Sequence, residues 1–262
     1  MKENTNAISG VLHHTKSKQN YDLRRYFPEP YFADLIEQFW IVDWDLCNLA
    51  THTQQNLPDP NFHLIIEKEG VKVLGPVSKV YTYTMRGKGR IIGTKFNIGM
   101  LAPLLKNPPD YYIDKECTLT EVFSTGLDNE LQALSFMHND ADIVDALHTF
   151  FRDYVMPVSR TQIQVLEIYN LIKSDGTIFS VEQLSSKANL SKRSIQRLFG
   201  KYIGLSPKWL IRKYRLHHVL QVLENKEADI QDIVTLLDYT DQSHLIRDFK
   251  EIIGTTPGKY MK

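Results

Sequence analysis

Two periodicities divide this chain. Up to about residue 118, apolar and aromatic residues gather in short runs bounded by glycine, proline and acidic positions. From Leu119 onward they recur at three- and four-residue spacing, the signature of helices with one buried face. In the first part, Leu35–Trp44 is rich in β-branched and aromatic residues and reads as a strand. Phe62–Ile66 and Val71–Leu74 flank Glu67-Lys68-Glu69-Gly70 and predict a hairpin. Val80–Thr84 and Ile91–Phe96 flank Arg86-Gly87-Lys88-Gly89 and predict a second. Gly99–Leu105 reads as a short helix stopped by Asn107-Pro108-Pro109. Ile143, Leu147, Phe150 and Tyr154 predict an amphipathic helix over 141–155, whose apolar stripe suits either its own sheet or a twin chain. Met156-Pro157-Val158-Ser159 is the linker signal, and every periodic segment from Thr161 onward is helical.

The expected fold class is therefore α+β. A mobile tail (1–20) precedes a β-rich domain ending in helices (21–156), followed by an all-α domain (160–262).

Within that last domain one pattern is written twice, fifty residues apart. Ser191, Ile195, Arg197, Phe199, Ile203, Gly204, Ser206 and Pro207 correspond to Asp241, Leu245, Arg247, Phe249, Ile253, Gly254, Thr256 and Pro257. Ser191 and Asp241 are N-cap residues, whose side-chain oxygens accept first-turn amides. Ile195, Leu198 and Phe199 fall on an inward face, leaving Lys192, Arg193, Gln196 and Arg197 outward. In the second copy Leu245 and Phe249 point in, and Gln242, Ser243, Ile246 and Arg247 point out. Helices at 181–187 and from about Asp229 precede the two copies across tight turns, which gives two helix-turn-helix units. Between them, Pro207–Leu223 reads as one long helix. Trp209, Leu216, Leu220 and Leu223 form its apolar stripe, and Lys208, Arg212 and Arg215 a basic side facing phosphates. Arginine grips guanine through O6 and N7, and glutamine pairs with adenine, so these outward residues suit major-groove reading.

The charge distribution agrees. The chain carries 31 basic and 31 acidic residues, but residues 157–262 hold 16 Lys+Arg against 11 Asp+Glu. Gln183 to Leu223 contains nine basic residues and no acidic one. Polyphosphate binding needs such a local patch, not a basic whole.

The paired motifs resemble the DNA-binding module of the AraC/XylS family of bacterial transcription regulators. Two stretches carry the resemblance, Leu190–Phe199 and Asp241–Lys250, with the tail Gly254-Thr255-Thr256-Pro257 and Tyr260. It implies two units on one face of duplex DNA. Arg193, Gln196 and Arg197 of the first, and Gln242, Ser243 and Arg247 of the second, would enter successive major grooves. It further implies a cytoplasmic regulator, most naturally an activator working with RNA polymerase. Two departures stand out. Asp238 occupies a turn position where glycine is usual, and Glu224–Glu251 holds eight acidic residues against three basic. The second unit is accordingly expected to grip DNA less tightly, with Asp248 close to its reading face.

The front part says less. Pro28-Glu29-Pro30, Phe39-Trp40, Leu57-Pro58-Asp59-Pro60 and Gly75-Pro76 loosely resemble the β-rich front domains of some such regulators. A small-molecule effector or self-association as a homodimer is expected there. The aromatics Tyr31, Phe32, Phe39, Trp40, Trp44, Phe62, Tyr81, Tyr83 and Phe96 suit a core or a pocket wall. His52, His63 and Glu67 do not make the His-x-His pattern of a cupin metal site, and no cofactor fingerprint is present. Cys47 and Cys117 lie beside acidic residues, which raises a thiol pKa and disfavours a DNA-targeted enzyme. No run approaches the ~18 apolar residues of a membrane span. The polar start carries no leader signal. A constitutive regulator with a purely structural front domain is the nearest alternative.

Overall fold

The computed structural model describes residues 19–46, 51–225 and 230–261. Most of the expected tail, Cys47 and the start of the second copy at Asp229 lie outside the described residues. Eight strands lead the chain: β1 (Asp22–Tyr26), β2 (Ile36–Asp45), β3 (His52–Asn56), β4 (His63–Glu67), β5 (Gly70–Leu74), β6 (Tyr81–Met85), β7 (Lys88–Phe96) and β8 (Glu116–Cys117). Six form an antiparallel sheet in the order β1-β2-β7-β4-β5-β8, while β3 and β6 pair separately.

The β4–β5 hairpin matches expectation, closed by Lys68-Glu69. The second expected hairpin does not form. β6 pairs with β3, and β7 lies between β2 and β4. The turn at Arg86-Gly87 hands the chain from one sheet to the other. Trp44 Nε1 donates to the Arg86 carbonyl (3.1 Å) and the Leu46 amide to the Gly87 carbonyl (2.7 Å). The turn residues are right for a hairpin; the pairing partner is set by distant packing.

Both faces of the six-stranded sheet are covered, and its central strands β2, β4 and β7 bury side chains on both sides. Phe39 and Ile41, Leu64 and Ile66, and Ile92 and Phe96 point to one face. There they meet α1 (Leu119–Phe123), α2 (Asp128–Ala133) and α3 (Asp140–Phe151). Ile143, Leu147 and Phe151 of α3 are wholly buried in this core, and Phe151 meets Phe96 edge-on at 5.5 Å. The stripe that invited a dimer is thus used within the chain. The helix is also shorter than expected: it ends at Phe151 and continues as a 3-10 turn over Arg152–Tyr154. Gly99–Leu105 likewise yields only a 3-10 turn over Ala102–Leu104.

The opposite sheet face carries Trp40, Val42, Ile65 and Ile91 and looks toward the helical half. Trp40 lies flat across β7, where a Cβ at Gly93 would fall 2.0 Å from the indole. Glycine inside a strand is here the mark of that close approach.

The helical half comprises α4 (Arg160–Ser174), α5 (Val181–Ala188), α6 (Lys192–Tyr202), α7 (Pro207–Asn225), α8 (Ile230–Leu236), α9 (Gln242–Ile253) and α10 (Pro257–Tyr260). It has two cores. Val165, Leu184, Ile195, Phe199 and Leu210 anchor the first; Leu216, Leu220, Ile233, Leu245 and Phe249 anchor the second. The front half docks onto both. Trp209 Nε1 donates to the Ser78 carbonyl (3.2 Å), and the Val80 amide to the Ile252 carbonyl (2.9 Å). Leu57 enters the second core and Ile98 the first.

Candidate nucleic-acid interface and the pocket behind it

The first helix-turn-helix is built by local chemistry. A capping box of Ser180 and Gln183 starts α5. Asn189 ends it in the left-handed region (φ 51°), so that the Leu190 amide reaches the Ser185 carbonyl at 3.1 Å. Two residues later Ser191 Oγ accepts the Ser194 amide (3.1 Å) and α6 begins. Ile195, Leu198, Phe199 and Tyr202 are buried; Arg193, Gln196 and Arg197 are exposed on the other side. Lys192 is also exposed, with its ammonium 2.6 Å from Glu182 of α5.

The second unit repeats this. Asp238 takes the left-handed conformation itself (φ 55°), so the turn keeps the geometry that glycine would supply. The Tyr239 amide closes onto the Val234 carbonyl at 2.9 Å, as Leu190 does in the first copy. One extra residue then separates the left-handed position from the N-cap, compared with the first copy. Asp241 accepts the His244 amide (2.7 Å). Leu245, Phe249, Ile252 and Ile253 are buried, and Gln242, Ser243 and Arg247 are exposed.

The connecting helix α7 departs from expectation. Lys208 is exposed, but Arg212 and Arg215 are not on a phosphate-facing side. Arg212 binds Asp248 (2.9 Å) and Glu251 (2.6 Å) of α9. Arg215 is 8% exposed and donates to the Asp238 carbonyl (3.0 Å). Its guanidinium stacks between Phe179 and Tyr239, 5.0 and 4.3 Å from the ring centroids. A planar, weakly hydrated guanidinium tolerates this setting where an ammonium would not. Asp248 is correspondingly buried under Arg212, away from the reading face. The expected apolar stripe is one side of a helix buried on several sides, because α7 lies between both readers and the front half.

The helix-turn-helix domain family matches residues 184–262, and a domain of unknown function, DUF6597, matches residues 24–118. A probable transcription factor of Proteus vulgaris, PqrA, is 30% identical over 80 residues, covering 30% of this chain and 66% of that protein. The Msm operon regulatory protein of Streptococcus mutans is 29% identical over 105 residues, 40% of this chain and 38% of that one. RclR, a transcriptional activator of Escherichia coli specific for RCS, is 28% identical over 93 residues, 36% of this chain and 33% of that one. The rear of the chain thus carries a helix-turn-helix domain similar to those of these transcription regulators. It matches about a third to two thirds of the length of these relatives. ToxT of Vibrio cholerae aligns over 92% of this chain and 98% of its own at 11% identity, with a TM-score of 0.38. The chain pairs a β-rich front with a helical rear that carries the helix-turn-helix domain. Among the described residues no helix is long and apolar enough to cross a membrane.

Behind the two helix-turn-helix units lies a cavity of about 550 Å³. The sheet face turned toward the helical half, the β3–β6 pair, α4 and α7 enclose it. Among the nine aromatics named from sequence, Trp40, Tyr81 and Tyr83 line it. Phe32, Phe39, Phe62, Phe96 and Trp44 are core, and Tyr31 is exposed. Its polar groups form two sets. On the sheet side, Lys95 bridges Asp59 (3.0 Å) and Glu37 (3.4 Å), with His63 Nε2 3.8 Å from Asp59. Burial opposes the charge of Asp59, but Lys95, His63 and Lys213 outweigh it and hold the carboxyl well below its usual range. On the helix side, Tyr169 and Tyr214 share a hydrogen bond of 2.7 Å. Lys213 stands 4.3 Å over the Tyr214 ring. Burial pushes the Lys213 amine down to about 8, against the pull of Asp59. Burial likewise holds the His217 imidazole well below its usual range, so it is neutral, and its Nε2 is buried with no hydrogen-bond partner among the described residues.

Among the described residues no cluster of three or more His, Cys, Asp or Glu could hold a metal. His52 meets Asn20 (3.1 Å), and burial, then Glu121, pushes the Cys117 thiol up. Sequence reasoning missed Lys95, Lys213 and the tyrosine pair. Their signals were a lysine inside an apolar strand and a lysine beside Arg212 on a helix whose burial was not foreseen.

Proposed function

We propose that this chain is a ligand-responsive transcription activator whose two helix-turn-helix units read successive major grooves of one duplex. Arg193, Gln196 and Arg197 of α6 supply base contacts in the first groove; Gln242, Ser243 and Arg247 of α9 supply them in the next. Lys192 and Lys208 add phosphate contacts. Arg212 and Arg215 serve instead to fix the second reader to the connecting helix. The observation that carries this reading is the match of the two copies in three dimensions: the same caps, left-handed turns and exposed Arg and Gln side chains. Each well-made bidentate base contact discriminates by about 1–3 kcal/mol.

The pocket is the effector site. In support, α7 lines the pocket and carries Arg212 and Arg215, so anything bound there touches the element holding the readers. Output is activation through RNA polymerase. Selection from random duplexes should return two short boxes ~10 base pairs apart, centre to centre. Transcription in vitro from such a site should rise with the regulator present. A single box, or repression, overturns the corresponding part. A screen in which no metabolite raises the melting temperature would favour the constitutive alternative, since a native-state ligand must stabilise.

A further inference from the structure

The front half touches both readers, and two of its loops do so together. Residues 109–114 close on the first reader. Gly204, just past α6 (φ 86°), lies so near Pro109 and Asp110 that a Cβ there would fall 2.7 Å from the Asp110 amide nitrogen. Residues 76–80 reach the second reader and the connecting helix. The Val80 amide donates to the carbonyl of Ile252 (2.9 Å), in the last turn of α9, where helix carbonyls have no intrahelical donor. Two residues earlier, the Ser78 carbonyl accepts Trp209 Nε1 (3.2 Å) at the start of α7. Trp209 packs on the first reader's core, whereas Ile252 is buried in the second's. One short loop therefore holds a residue of each reader. Asp114 joins it to the other loop. Its carboxylate accepts the Ser78 amide (2.7 Å) and hydroxyl (2.6 Å), and its own amide donates to the Pro76 carbonyl (2.8 Å). Asp114 takes the left-handed conformation (φ 56°) to do so, one that short polar residues tolerate and most others avoid.

We propose that Asp114 and the loop 78–80 form a brace that fixes the second reader relative to the first, and so set which separation of the two DNA boxes the protein accepts. This rests on the two-groove reading above and adds the residues that decide its spacing. Without the brace, α7 joins the readers through one helix, and a single tie leaves α9 a tilt about it. The brace ties α9 from outside that helix, at the end away from Gln242 and Ser243, and removes the tilt. Spacing is sensitive to such freedom. One added base pair moves the second box by ~3.4 Å and turns it by ~35° around the duplex. A rigid pair of readers then loses the second box, whereas a loosely joined pair follows it. Asp114 and Trp209 are positioning residues here: they act on DNA through the readers they hold.

The experiment uses the full chain and duplexes carrying the two selected boxes at centre-to-centre separations from about 8 to about 13 base pairs. Gel-shift titration at fixed salt reads affinity, because phosphate contacts make it salt-dependent. The natural chain is expected to favour one separation and to lose about tenfold for each base pair added or removed, the loss of about one good base contact. Asp114→Gly keeps the left-handed backbone and removes both side-chain contacts to Ser78. Trp209→Phe keeps an aromatic ring and removes the donor to Ser78. Each should shrink the penalty to about threefold or less, while a duplex with one box binds as tightly as before. Asp114→Asn, which still accepts the Ser78 amide, should keep most of the penalty. Circular dichroism should show the natural helix content in all three variants. A merely structural role would weaken binding at every separation alike and leave the penalty unchanged. That result overturns the brace and leaves the two-groove reading standing, as does a natural chain that takes all separations equally. If the natural chain selects a single box, the two-groove reading falls and the brace with it.

Discussion

The two readers share a fold but present different charge. The first sits in a stretch with nine basic residues and no acidic one, and Arg193 and Arg197 stay on its surface. The second sits among eight acidic residues, yet two of these, Asp248 and Glu251, are occupied by Arg212. Counted along the chain, α9 looks repulsive to DNA and α7 attractive. In three dimensions each cancels part of the other. Charges that count toward binding are those a surface presents, and burial and pairing remove the rest. The same pairing explains how a second unit with a longer turn is held in place: Arg215 packs between Phe179, ahead of α5, and Tyr239, in that turn.

The largest expected effect tests whether the readers are equivalent in their cores. Phe199→Ala and Phe249→Ala each remove a fully buried ring and should each cost about 3–5 kcal/mol in denaturant unfolding. A cost confined to one of them would break the equivalence.

Arg212→Ala comes next. It strands buried Asp248 and should destabilise by about 2–3 kcal/mol, below the full cost of breaking a dry pair because Arg212 keeps some water contact. Chemical-shift or exchange changes should concentrate in α9. If they fall in α6 instead, Arg212 does not serve the second reader.

On DNA, Arg193→Ala or Arg197→Ala should each lose about 1–3 kcal/mol of binding, and Arg247→Ala less. Gel-shift titration at fixed salt checks this, because phosphate contacts make affinity salt-dependent. Equal losses would mean that Arg212 masks enough acid for both readers to grip alike.

The smallest difference is at the caps. Ser191→Ala should cost about 1 kcal/mol of stability. Asp241→Ala should cost slightly more, since a carboxylate also favours the positive end of the helix. Thermal melts of the two variants give the ordering.

Much of this was legible from residue pattern, and the exceptions share a cause. The caps, the inward residues of α6 and α9 and the β4–β5 hairpin follow from contacts within a few positions. Asp238 departs from the glycine usual at that turn, but Asn189 in the first copy already shows that a short polar residue suffices at that left-handed site. The failures were β6, whose partner is β3; Arg212 and Arg215, turned inward; and Lys95 and Lys213, which face one cavity from opposite halves.

By itself, the sequence determined two capped amphipathic helices with arginine and glutamine outside, because helix starts, stops and faces are decided over three or four residues. Only the tertiary structure decided which cations remain available to DNA, which are spent holding α9 to α7, and which lysines face one cavity from opposite halves. Those outcomes depend on water exclusion and on partners supplied from far along the chain, and no local spacing encodes them.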